Sequence, residues 1–343
     1  MQVAAVVVNW NGADHVATCL DSLLAQDHRD LDVVVIDNAS TDASREVLAG
    51  YLGRVRVVWN PTNRGFAGGV NDGLTVADDA DAVLTVNPDV VARPDYVRRV
   101  VEVLRSRERC GAVQGKLVRT ATAPSGAPVI DTTGHVAFRT RLFRNRGEGE
   151  VDRGQFEVAD EVFGVSGALA LYRRAMLDDV AIEVDGRREV FDEDLFAFWE
   201  DVDLDWRAQM HGWEAWYEPT AVAVHERGGA GPRRTRRVEQ LNWQNRLLVL
   251  WKNDTWSALL LALPGFLVTL VLKTGELLLT VPLAFVGALR DVGLVRRMLA
   301  KRPQVHAAPH PSHDIVRRWF GAFDYRAWVR TWWRRVRGVP PGA

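Results

Sequence analysis

Four carboxylates and three large apolar side chains lie within one ten-residue segment, FWEDVDLDWR, from Phe198 to Arg207. At helical spacing, Asp201 and Asp205 share one face with Phe198, so at least one carboxylate should sit against an apolar wall. Burial raises the pKa of a carboxyl group and suits it to act as a general base. The segment therefore indicates acid–base chemistry. A solvated acidic face on a core helix is the ordinary alternative for acidic residues taken alone.

The elements that must position this segment alternate between strands and helices. Runs rich in β-branched residues occur at Val3 to Val8, Leu31 to Ile36, Val55 to Trp59 and Ala82 to Val86, and apolar residues at helical spacing follow them. Strands that alternate with helices imply right-handed crossovers and a mainly parallel sheet.

Polar clusters follow three of these strands, at Asn9 to Gly12, Asp37 to Asp42 and Asn87 to Asp89. In a parallel sheet ligands bind beyond the carboxyl ends of the strands, so three polar loops should face one crevice. A dinucleotide-binding site is the main alternative, but the motifs typical of one are missing. The first strand-to-helix turn, NWNGADH, lacks G-x-G-x-x-G, the cluster Gly65 to Gly69 follows the third strand, and no P-loop lysine motif occurs.

Seven motifs occur in a fixed order along roughly the first two thirds of the chain: VVVNWNG, VVVIDNASTD, NPTNRGFAGGVNDG, LTVNPDV, VSGALALYRR, FDEDLFAFWEDVDLDWRAQMHGW and YEPTAVAVH. In this order and spacing they resemble the inverting family-two glycosyltransferases of GT-A fold, and among these the bacterial rhamnosyltransferase-like members. The resemblance implies an α/β fold, with a Rossmann-like, mainly parallel sheet flanked by helices. It also implies transfer of a sugar from a nucleoside diphosphate donor.

The resemblance implies a divalent metal site at Asp89 and His225. Mg²⁺ or Mn²⁺ prefers oxygen ligands and keeps waters and phosphates in its shell. The metal motif of the family is Asp-x-Asp, whereas Asn87-Pro88-Asp89 offers one charged donor, so Asn87 could instead meet the ribose or a phosphate. Taken alone, the tripeptide is typical of a turn that closes a strand, and a lone His is usually only a hydrogen-bonding residue.

The donor nucleotide is expected at the loops after the first strands. Asp37 resembles the aspartate that accepts a hydrogen bond from the pyrimidine N3–H, and Arg64 looks placed to meet the base or a phosphate. Helix capping within Asp37 to Asp42 and a surface salt bridge for Arg64 remain the alternatives. The predicted donor-binding residues are Asn9, Asn11, Asp37, Asn38, Ser40, Arg64, Asn71 and Asn87.

The resemblance implies that Asp201, in the Glu-Asp pair, is the catalytic base, with Glu200 and Asp203 as fallback candidates. Inversion needs one carboxylate that takes the acceptor proton while the acceptor oxygen attacks the anomeric carbon opposite the diphosphate. Small residues in Val165-Ser166-Gly167-Ala168 resemble the segment that lines the acceptor side, where backbone comes close to a sugar. The predicted acceptor-side residues are Ser166, Gly167, Ala168 and Trp199.

The composition changes in the last third of the chain. From Gly231 to Ala343 there are 19 lysines and arginines against 6 aspartates and glutamates. Uncharged runs at Trp256 to Leu272 and Leu277 to Leu289 are each shorter than the ~20 residues of a spanning helix, which favours a re-entrant or interfacial pair over core helices. Arginines alternate with aromatic residues from Arg317 to Arg337, which predicts a helix on anionic lipid rather than on nucleic acid.

Two cysteines, Cys19 and Cys110, lie far apart and give neither a disulfide framework nor a zinc signature. The N-terminus lacks the pattern of a secretory signal, so the catalytic part is expected in the cytosol. Processive synthases of the wider family carry Gln-x-x-Arg-Trp after the Glu-Asp motif. The segment Gln240 to Trp243 does not match it, which favours transfer of a single sugar.

The predicted organisation is a GT-A domain over residues 1–235, an apolar helical membrane-associated segment over 236–303, and a Pro-containing linker with a basic aromatic helix over 304–343. The predicted activity is metal-dependent, inverting transfer of one sugar, from dTDP-rhamnose or a UDP-sugar, to a lipid-linked or cell-envelope glycan acceptor. The predicted location is the cytoplasmic side of the cell membrane, with an anionic membrane surface and no nucleic acid as partner.

Two other functions remain open on the sequence alone. A nucleotidyltransferase would share the sheet topology and a metal carboxylate, but the N-terminal Gly-rich loop with Arg or Lys is missing. An inactive, membrane-tethered protein that binds sugar nucleotides or glycans is favoured by Asn87 in place of Asp. The intact pair Glu200-Asp201 and His225 argue against this second alternative.

Overall fold

The computed structural model describes residues 1–227, 235–326 and 328, and its elements alternate as the sequence predicts. The strands are β1 Val3–Asn9, β2 Leu31–Asp37, β3 Arg56–Trp59, β4 Ala82–Val86, β5 Val90–Ala92, β6 Cys110–Thr122, β7 Pro128–Thr132, β8 His135–Phe138, β9 Phe143–Asn145, β10 Asp160–Val162, β11 Leu169–Arg173, β12 Ile182–Val184, β13 Arg187–Glu189, β14 Glu214–His225 and β15 Phe320–Gly321. The helices are α1 Ala13–Leu24, α2 Ser44–Ala49, α3 Gly65–Val76, α4 Tyr96–Ser106, α5 Arg174–Asp179, α6 Glu200–Met210, α7 Arg236–Asn253, α8 Trp256–Thr280, α9 Pro282–Arg290, α10 Val292–Val305 and α11 Ser312–Trp319, with a 3-10 turn at Glu193–Leu195.

The main sheet has the strand order β10-β14-β6-β11-β4-β1-β2-β3, with β5 and β7 attached to β14 and β6. One half of the sheet, β4-β1-β2-β3, is parallel, as strand–helix–strand crossovers require. Strand β11 runs antiparallel between β4 and β6, while β14 pairs parallel with β6. The predicted α/β class with a mainly parallel sheet is confirmed.

Strand β1 supplies side chains to both faces of the sheet because its residues alternate in direction. On one face Val3 and Val7 belong to a core that also contains α1 and α4. On the other face Val6 belongs to a core shared with α3 and α5. A strand buried on both faces reads as a continuous apolar run, which is the pattern of VAAVVVN.

A third apolar core joins the C-terminal helices to the sheet domain. It contains Trp206 of α6, Val249 of α7, Met298 of α10 and Phe320 of β15, all of them buried. Strand β15 pairs with β8 in a small separate sheet. The C-terminal third of the described chain therefore shares a core with the helix that carries Asp201.

Helix α8 differs from the two short apolar runs that the sequence predicts. It continues from Trp256 to Thr280 through Pro264 and through Lys273 and Glu276. The last two side chains pair at 2.9 Å at i,i+3 spacing, so the charges are neutralised within the helix. Among the described residues α8 alone is long and apolar enough, by length and composition, to cross a membrane.

The predicted basic helix from Arg317 to Arg337 is interrupted in its first part. Helix α11 ends at Trp319, and the chain then forms β15 against β8, because Phe320 is buried in the third core. Residues 327 and 329–337 of the predicted helix lie outside the described residues.

Candidate active site

The carboxyl ends of β1 and β2 bring Asn9 and Asp37 together, since these residues face each other in the sheet register. The Asn9 amide Nδ2 donates to Asp37 Oδ1 at 2.9 Å and to Ser40 Oγ at 3.2 Å, while the Ser40 N–H donates to Asp37 Oδ2 at 3.1 Å. Asn9 and Asp37 are both buried. These three predicted donor-site residues thus lie together at the carboxyl ends of β1 and β2 and bond to one another.

Asn11 and Asn38 connect the neighbouring loops to this cluster. Asn11 has a positive φ of 52°, a conformation that Asn tolerates, and its side-chain oxygen accepts from the Thr41 N–H at 2.7 Å. Asn38 donates to the carbonyl oxygen of Gly65 at 2.7 Å and accepts from Asn60 at 2.9 Å. The loops after β1 and β2 and the start of α3 are therefore held as one surface.

Arg64 and Asn71 of the predicted donor set contact the segment that precedes α6. The Arg64 guanidinium NH2 donates to both carboxylate oxygens of Glu193, at 2.8 and 2.7 Å. Arg64 also pairs with Asp72. Asn71 donates to the carbonyl oxygen of Phe191 at 2.8 Å and accepts from its N–H at 3.0 Å. Arg64 therefore forms salt bridges, which is the alternative to a role in donor binding. Both Arg64 and Asn71 connect α3 to the segment that precedes α6.

The two predicted metal ligands, Asp89 and His225, lie close to each other. Strand β5 pairs with the end of β14, so His225 Nε2 comes within 3.3 Å of Asp89 Oδ1. His225 Nδ1 lies 2.8 Å from Asp131 Oδ2, and Asp131 also pairs with Arg119 and Arg227. Burial by itself lowers the pKa of His225, but its bonds to Asp131 and Asp89 raise it overall.

This donor set fits a divalent cation that is also bound by phosphate. A metal-binding His typically has its second ring nitrogen held by a carboxylate, as Asp131 holds His225. In the described ranges no group of three His, Cys, Asp or Glu side chains forms a complete metal site. Mg²⁺ and Mn²⁺ accept such incomplete protein shells, because substrate phosphates and water fill the remaining positions.

Asp201 lies at the start of α6 with its carboxylate oriented by backbone. Gly167 N–H donates to its Oδ2 at 3.1 Å and Val202 N–H to its Oδ1 at 2.8 Å, while 18% of the side chain stays exposed. The carbonyl oxygen of Ala168, the residue after Gly167, accepts from the Asn87 N–H at 2.8 Å. The predicted acceptor-side segment thus connects the base candidate to the loop that carries Asp89.

The two fallback carboxylates have different surroundings. Glu200 is buried, and burial, followed by the charge of Asp201, raises its pKa well above the ordinary value. Asp203 is also buried, where it accepts from Lys252 at 2.8 Å and from Asn253 at 2.7 Å. Burial would raise the pKa of Asp203, but the Lys252 charge holds it below the ordinary value. Asp203 therefore anchors α7 and has no surface that an acceptor could reach.

The sequence predicts that a carboxylate on the face of α6 shared by Asp201 and Asp205 lies against an apolar wall. It does not predict the partner of Asp205, which is His135. Asp205 is buried one turn after Asp201, and its Oδ2 lies 2.7 Å from His135 Nδ1. The other ring nitrogen, Nε2, lies 3.7 Å from Asp201 Oδ2. His135 occurs in a weakly periodic stretch, and its partners lie about 70 residues further along the chain, so no local pattern could have found it.

The segment before α6 has an unusual backbone. Phe196, Phe198 and Trp199 all have positive φ, of 61°, 68° and 75°. For bulky residues this conformation is rare and is maintained only by the surrounding structure. Asn245 of α7 supplies that support: its Nδ2 lies 2.7, 3.0 and 2.9 Å from the carbonyl oxygens of residues 195, 197 and 198. The predicted acceptor-side residue Trp199 packs edge-on against Phe143.

Comparison with known proteins shows the family to which the chain belongs. The family described as Glycosyl transferase family 2 matches residues 4–181, about half of the chain. An N-acetylglucosaminyl-diphospho-decaprenol L-rhamnosyltransferase of Mycobacterium tuberculosis is 28% identical over 239 residues, 65% of this chain and 75% of that protein. An uncharacterized glycosyltransferase of Nostoc is 29% identical over 116 residues, 33% of this chain and 36% of the Nostoc protein.

Two solved structures share the fold. GalNAc-T7 with UDP, GalNAc and Mn²⁺ aligns with a TM-score of 0.57 at 12% identity, over 75% of this chain and 48% of its own. A mannosyltransferase of Pyrobaculum calidifontis with GDP-Man and Mn²⁺ aligns with a TM-score of 0.51 at 19% identity, over 90% and 85%. The fold is that of the GT-A glycosyltransferases, as predicted. The chain belongs to glycosyl transferase family 2, which confirms the resemblance stated from the motifs.

Proposed function

We propose that this chain transfers a single sugar, with inversion, from a nucleoside diphosphate sugar to a lipid-linked or cell-envelope glycan acceptor. The observation that carries the proposal is the setting of Asp201. Its carboxylate is partly exposed at the ligand-binding edge of the sheet, and one oxygen is fixed by the Gly167 N–H at 3.1 Å. A base held in this way, within reach of solvent, suits proton abstraction from an acceptor hydroxyl.

In the proposed reaction Asp201 takes the hydroxyl proton while the acceptor oxygen forms a bond to the anomeric carbon. The bond from that carbon to the diphosphate oxygen breaks, and the diphosphate leaves with its electron pair. Attack from the side opposite the diphosphate gives inversion, and no covalent enzyme intermediate is needed.

Asp89 and His225 are the residues that would hold Mg²⁺ or Mn²⁺. The cation would neutralise negative charge on the departing diphosphate. Support comes from the 3.3 Å contact between the two side chains and from the Mn²⁺ in both structural neighbours. Arg119 and Arg227, both paired with Asp131, add positive charge beside His225.

The choice of donor and acceptor rests on relatives. The mycobacterial relative is named for rhamnose transfer to a decaprenol-linked sugar, which supports dTDP-rhamnose as donor and a lipid-linked acceptor. The structural neighbours contain UDP and GDP-Man, so a UDP-sugar remains the second donor. A lipid acceptor agrees with a location at the cytoplasmic side of the membrane. The apolar helix α8 and the excess of lysine and arginine from Gly231 to Ala343, here called the basic tail, support this location.

Equilibrium binding of UDP, dTDP and GDP, each with and without Mn²⁺ or Mg²⁺, tests the donor site. We expect metal-dependent binding of one pyrimidine diphosphate, and loss of that metal dependence in Asp89→Ala. We expect Asp201→Asn to bind the nucleotide with unchanged Kd and to lose turnover by about 10²- to 10⁴-fold, the usual contribution of a general base. Asp30→Asn, at an exposed aspartate, is the matched control.

Two results would redirect the proposal. Unaltered turnover of Asp201→Asn would remove this residue as the base. A folded protein that binds none of the three nucleotides would favour the alternative of an inactive, membrane-tethered glycan-binding protein. Membership of the glycosyltransferase family already disfavours the nucleotidyltransferase alternative.

A further inference from the structure

We propose that His135 is a positioning residue for the base Asp201, and that Asp205 holds the His135 imidazole as a cation for this role. The inference rests on the proposed function, since it assigns a partner to the base of that reaction. His135 and Asp205 are not among the predicted donor, acceptor or metal residues. His135 nevertheless lies next to Asp201 and contacts Asp205 on its other side.

Both ring nitrogens of His135 face carboxylates. Nδ1 lies 2.7 Å from Asp205 Oδ2, which is a hydrogen-bond distance, and Nε2 lies 3.7 Å from Asp201 Oδ2, which is an electrostatic contact. A neutral imidazole has one N–H and cannot present a hydrogen to both partners, whereas an imidazolium presents two. An arrangement with acidic oxygens on both sides therefore favours the cation.

Backbone groups fix the far side of this cluster. The Val165 N–H donates to Asp205 Oδ1 at 3.1 Å, and the His135 N–H donates to the Gly164 carbonyl at 2.8 Å. A Cβ on Gly164 would lie 1.8 Å from Asp205 Oδ2, so the carboxylate occupies space that only glycine leaves free. The same segment supplies the Gly167 N–H that binds Asp201, so one stretch of backbone holds both carboxylates.

The protonation equilibria agree with this geometry. Burial raises the pKa of Asp205 to about 6, against the influence of His135. Burial lowers the pKa of His135, but the charge of Asp201 and the bond to Asp205 raise it overall. The other polar groups near the cluster are Asn145, which bonds the ring, the buried Tyr172 hydroxyl, and the Glu200 carboxyl beside Asp201.

The cation has two consequences for Asp201. A positive charge within 4 Å favours the ionised carboxylate, which is the form that can accept a proton. It also attracts Oδ2, the oxygen that Gly167 holds, so the carboxylate keeps one orientation. His135 neither gains nor loses a proton in the transfer step, because the acceptor proton goes to Asp201.

The test compares His135→Asn with wild-type enzyme in a sugar-transfer assay across pH. Asparagine places its amide nitrogen near Nδ1, so it keeps a donor for Asp205 and removes the group facing Asp201. We expect kcat to fall about 10- to 100-fold, with nucleotide Kd unchanged. We expect the acidic limb of the kcat profile to move up by about one pH unit or more, because the base is protonated more easily without the adjacent charge.

Asp205→Asn gives an independent variant, since it removes the charge that holds the cation without altering either His135 or Asp201. We expect the same upward movement of the acidic limb. His211→Asn is the matched control, because His211 contacts Asp179 at 3.1 Å at the other end of α6. ¹⁵N spectra of histidine-labelled full-length protein at pH 7 add a readout that needs no turnover: one doubly protonated imidazole is expected to be lost in Asp205→Asn.

The outcomes are distinct. Wild-type protein without any transfer activity would contradict the proposed function itself, and the histidine spectra would still decide the charge of the ring. Active His135→Asn and Asp205→Asn enzymes with an unmoved acidic limb would overturn the positioning role alone. A purely structural role would lower stability and leave the pH profile in place. A neutral His135 in the spectra would also overturn the inference.

Discussion

Asp201 and Asp205 are one helical turn apart on α6, yet their environments differ. Asp201 is partly exposed and accepts two backbone hydrogen bonds, whereas Asp205 is buried against Gly164 and His135. These surroundings give the two carboxylates different roles, since Asp201 is within reach of solvent and Asp205 is not. Residue type alone could not assign these roles, because the sequence presents four carboxylates in six positions.

Asp205 should make stability depend on pH in a defined window. Its pKa in the folded protein, about 6, is raised by burial above the ordinary value of 3.8. The folded state therefore holds this proton more tightly, and the stabilisation present below pH ~4 is lost as pH rises through 6. A shift of two units corresponds to roughly 3 kcal/mol. Replacement by Asn should flatten the dependence of unfolding free energy on pH between about 4 and 7.

Urea unfolding of wild-type and Asp205→Asn protein at several pH values checks this expectation. The raised pKa of His135 also makes the folded state lose stability as pH rises. Loss of the His135–Asp205 pair should therefore flatten the dependence of unfolding free energy on pH further. Asp30→Asn, which is exposed, should follow the wild-type curve. Parallel curves for wild type and Asp205→Asn would contradict the raised pKa of this buried carboxyl.

At the scale of elements, α7 determines the backbone that leads into the base helix. Three carbonyl groups before α6 lie within reach of the single amide of Asn245, next to residues with positive φ. On the same helix Lys252 bonds Asp192 at 2.5 Å and Asp203 at 2.8 Å. Helix α7 therefore acts as a support for the entry to α6, and its loss would release a strained segment.

Asn245→Ala should separate this support from substrate binding. Removing the amide leaves buried carbonyl groups without their donor, which costs about 1 to 3 kcal/mol each where no water replaces it. We expect lower stability and a fall in kcat of about tenfold or more, with a small change in nucleotide Kd, because the donor loops do not contact Asn245. Calorimetric unfolding together with steady-state kinetics measures both effects.

The control for this prediction is Asn242→Ala on the same helix, where the side chain donates to the carbonyl of Val238 one turn earlier. It should leave kcat within about twofold of wild type. Equal loss of activity in the two variants would show that α7 acts only through its general stability.

The strands and their polar ends were predictable because their signals are local. Continuous β-branched runs, such as that of β1, identify buried strands, and parallel topology then brings Asn9 next to Asp37. The pairing of Asp89 with His225 followed from the order of motifs. His135 and Asn245 could not be found in this way, since each acts on residues about 50 to 70 positions away through tertiary packing.

At the scale of the whole molecule, the C-terminal helices have two opposite faces. One face is part of the third core and carries Lys301, which bonds Asp192 at 2.5 Å and Asp194 at 2.8 Å. The other face, on α8 and α9, exposes large apolar side chains such as Leu261 and Leu279, at 86% and 84%. An exposed apolar surface of this kind marks a membrane or protein partner.

This architecture changes how membrane binding should be tested. Truncation before Trp256 would remove α8 together with α10 and α11, and so would take Lys301 and part of the third core away from the catalytic domain. Loss of lipid binding in such a fragment would not be distinguishable from misfolding. Substitution of exposed side chains leaves the core intact, because Leu261 and Leu279 contribute little to it.

We expect the full chain to float with vesicles containing anionic phospholipid, and Leu261→Asn/Leu279→Asn to reduce the bound fraction about tenfold or more. Burying one Leu side chain contributes roughly 1.5 to 3 kcal/mol, so the loss of two should lower the partition into vesicles at least tenfold. High salt should weaken only the part due to the basic tail, since it screens charge and not apolar burial. Leu52→Asn, at an exposed leucine of the sheet domain, is the matched control. A wild-type protein that stays monomeric in solution and ignores vesicles would overturn the membrane location, and the apolar face of α8 would then need a protein partner to cover it.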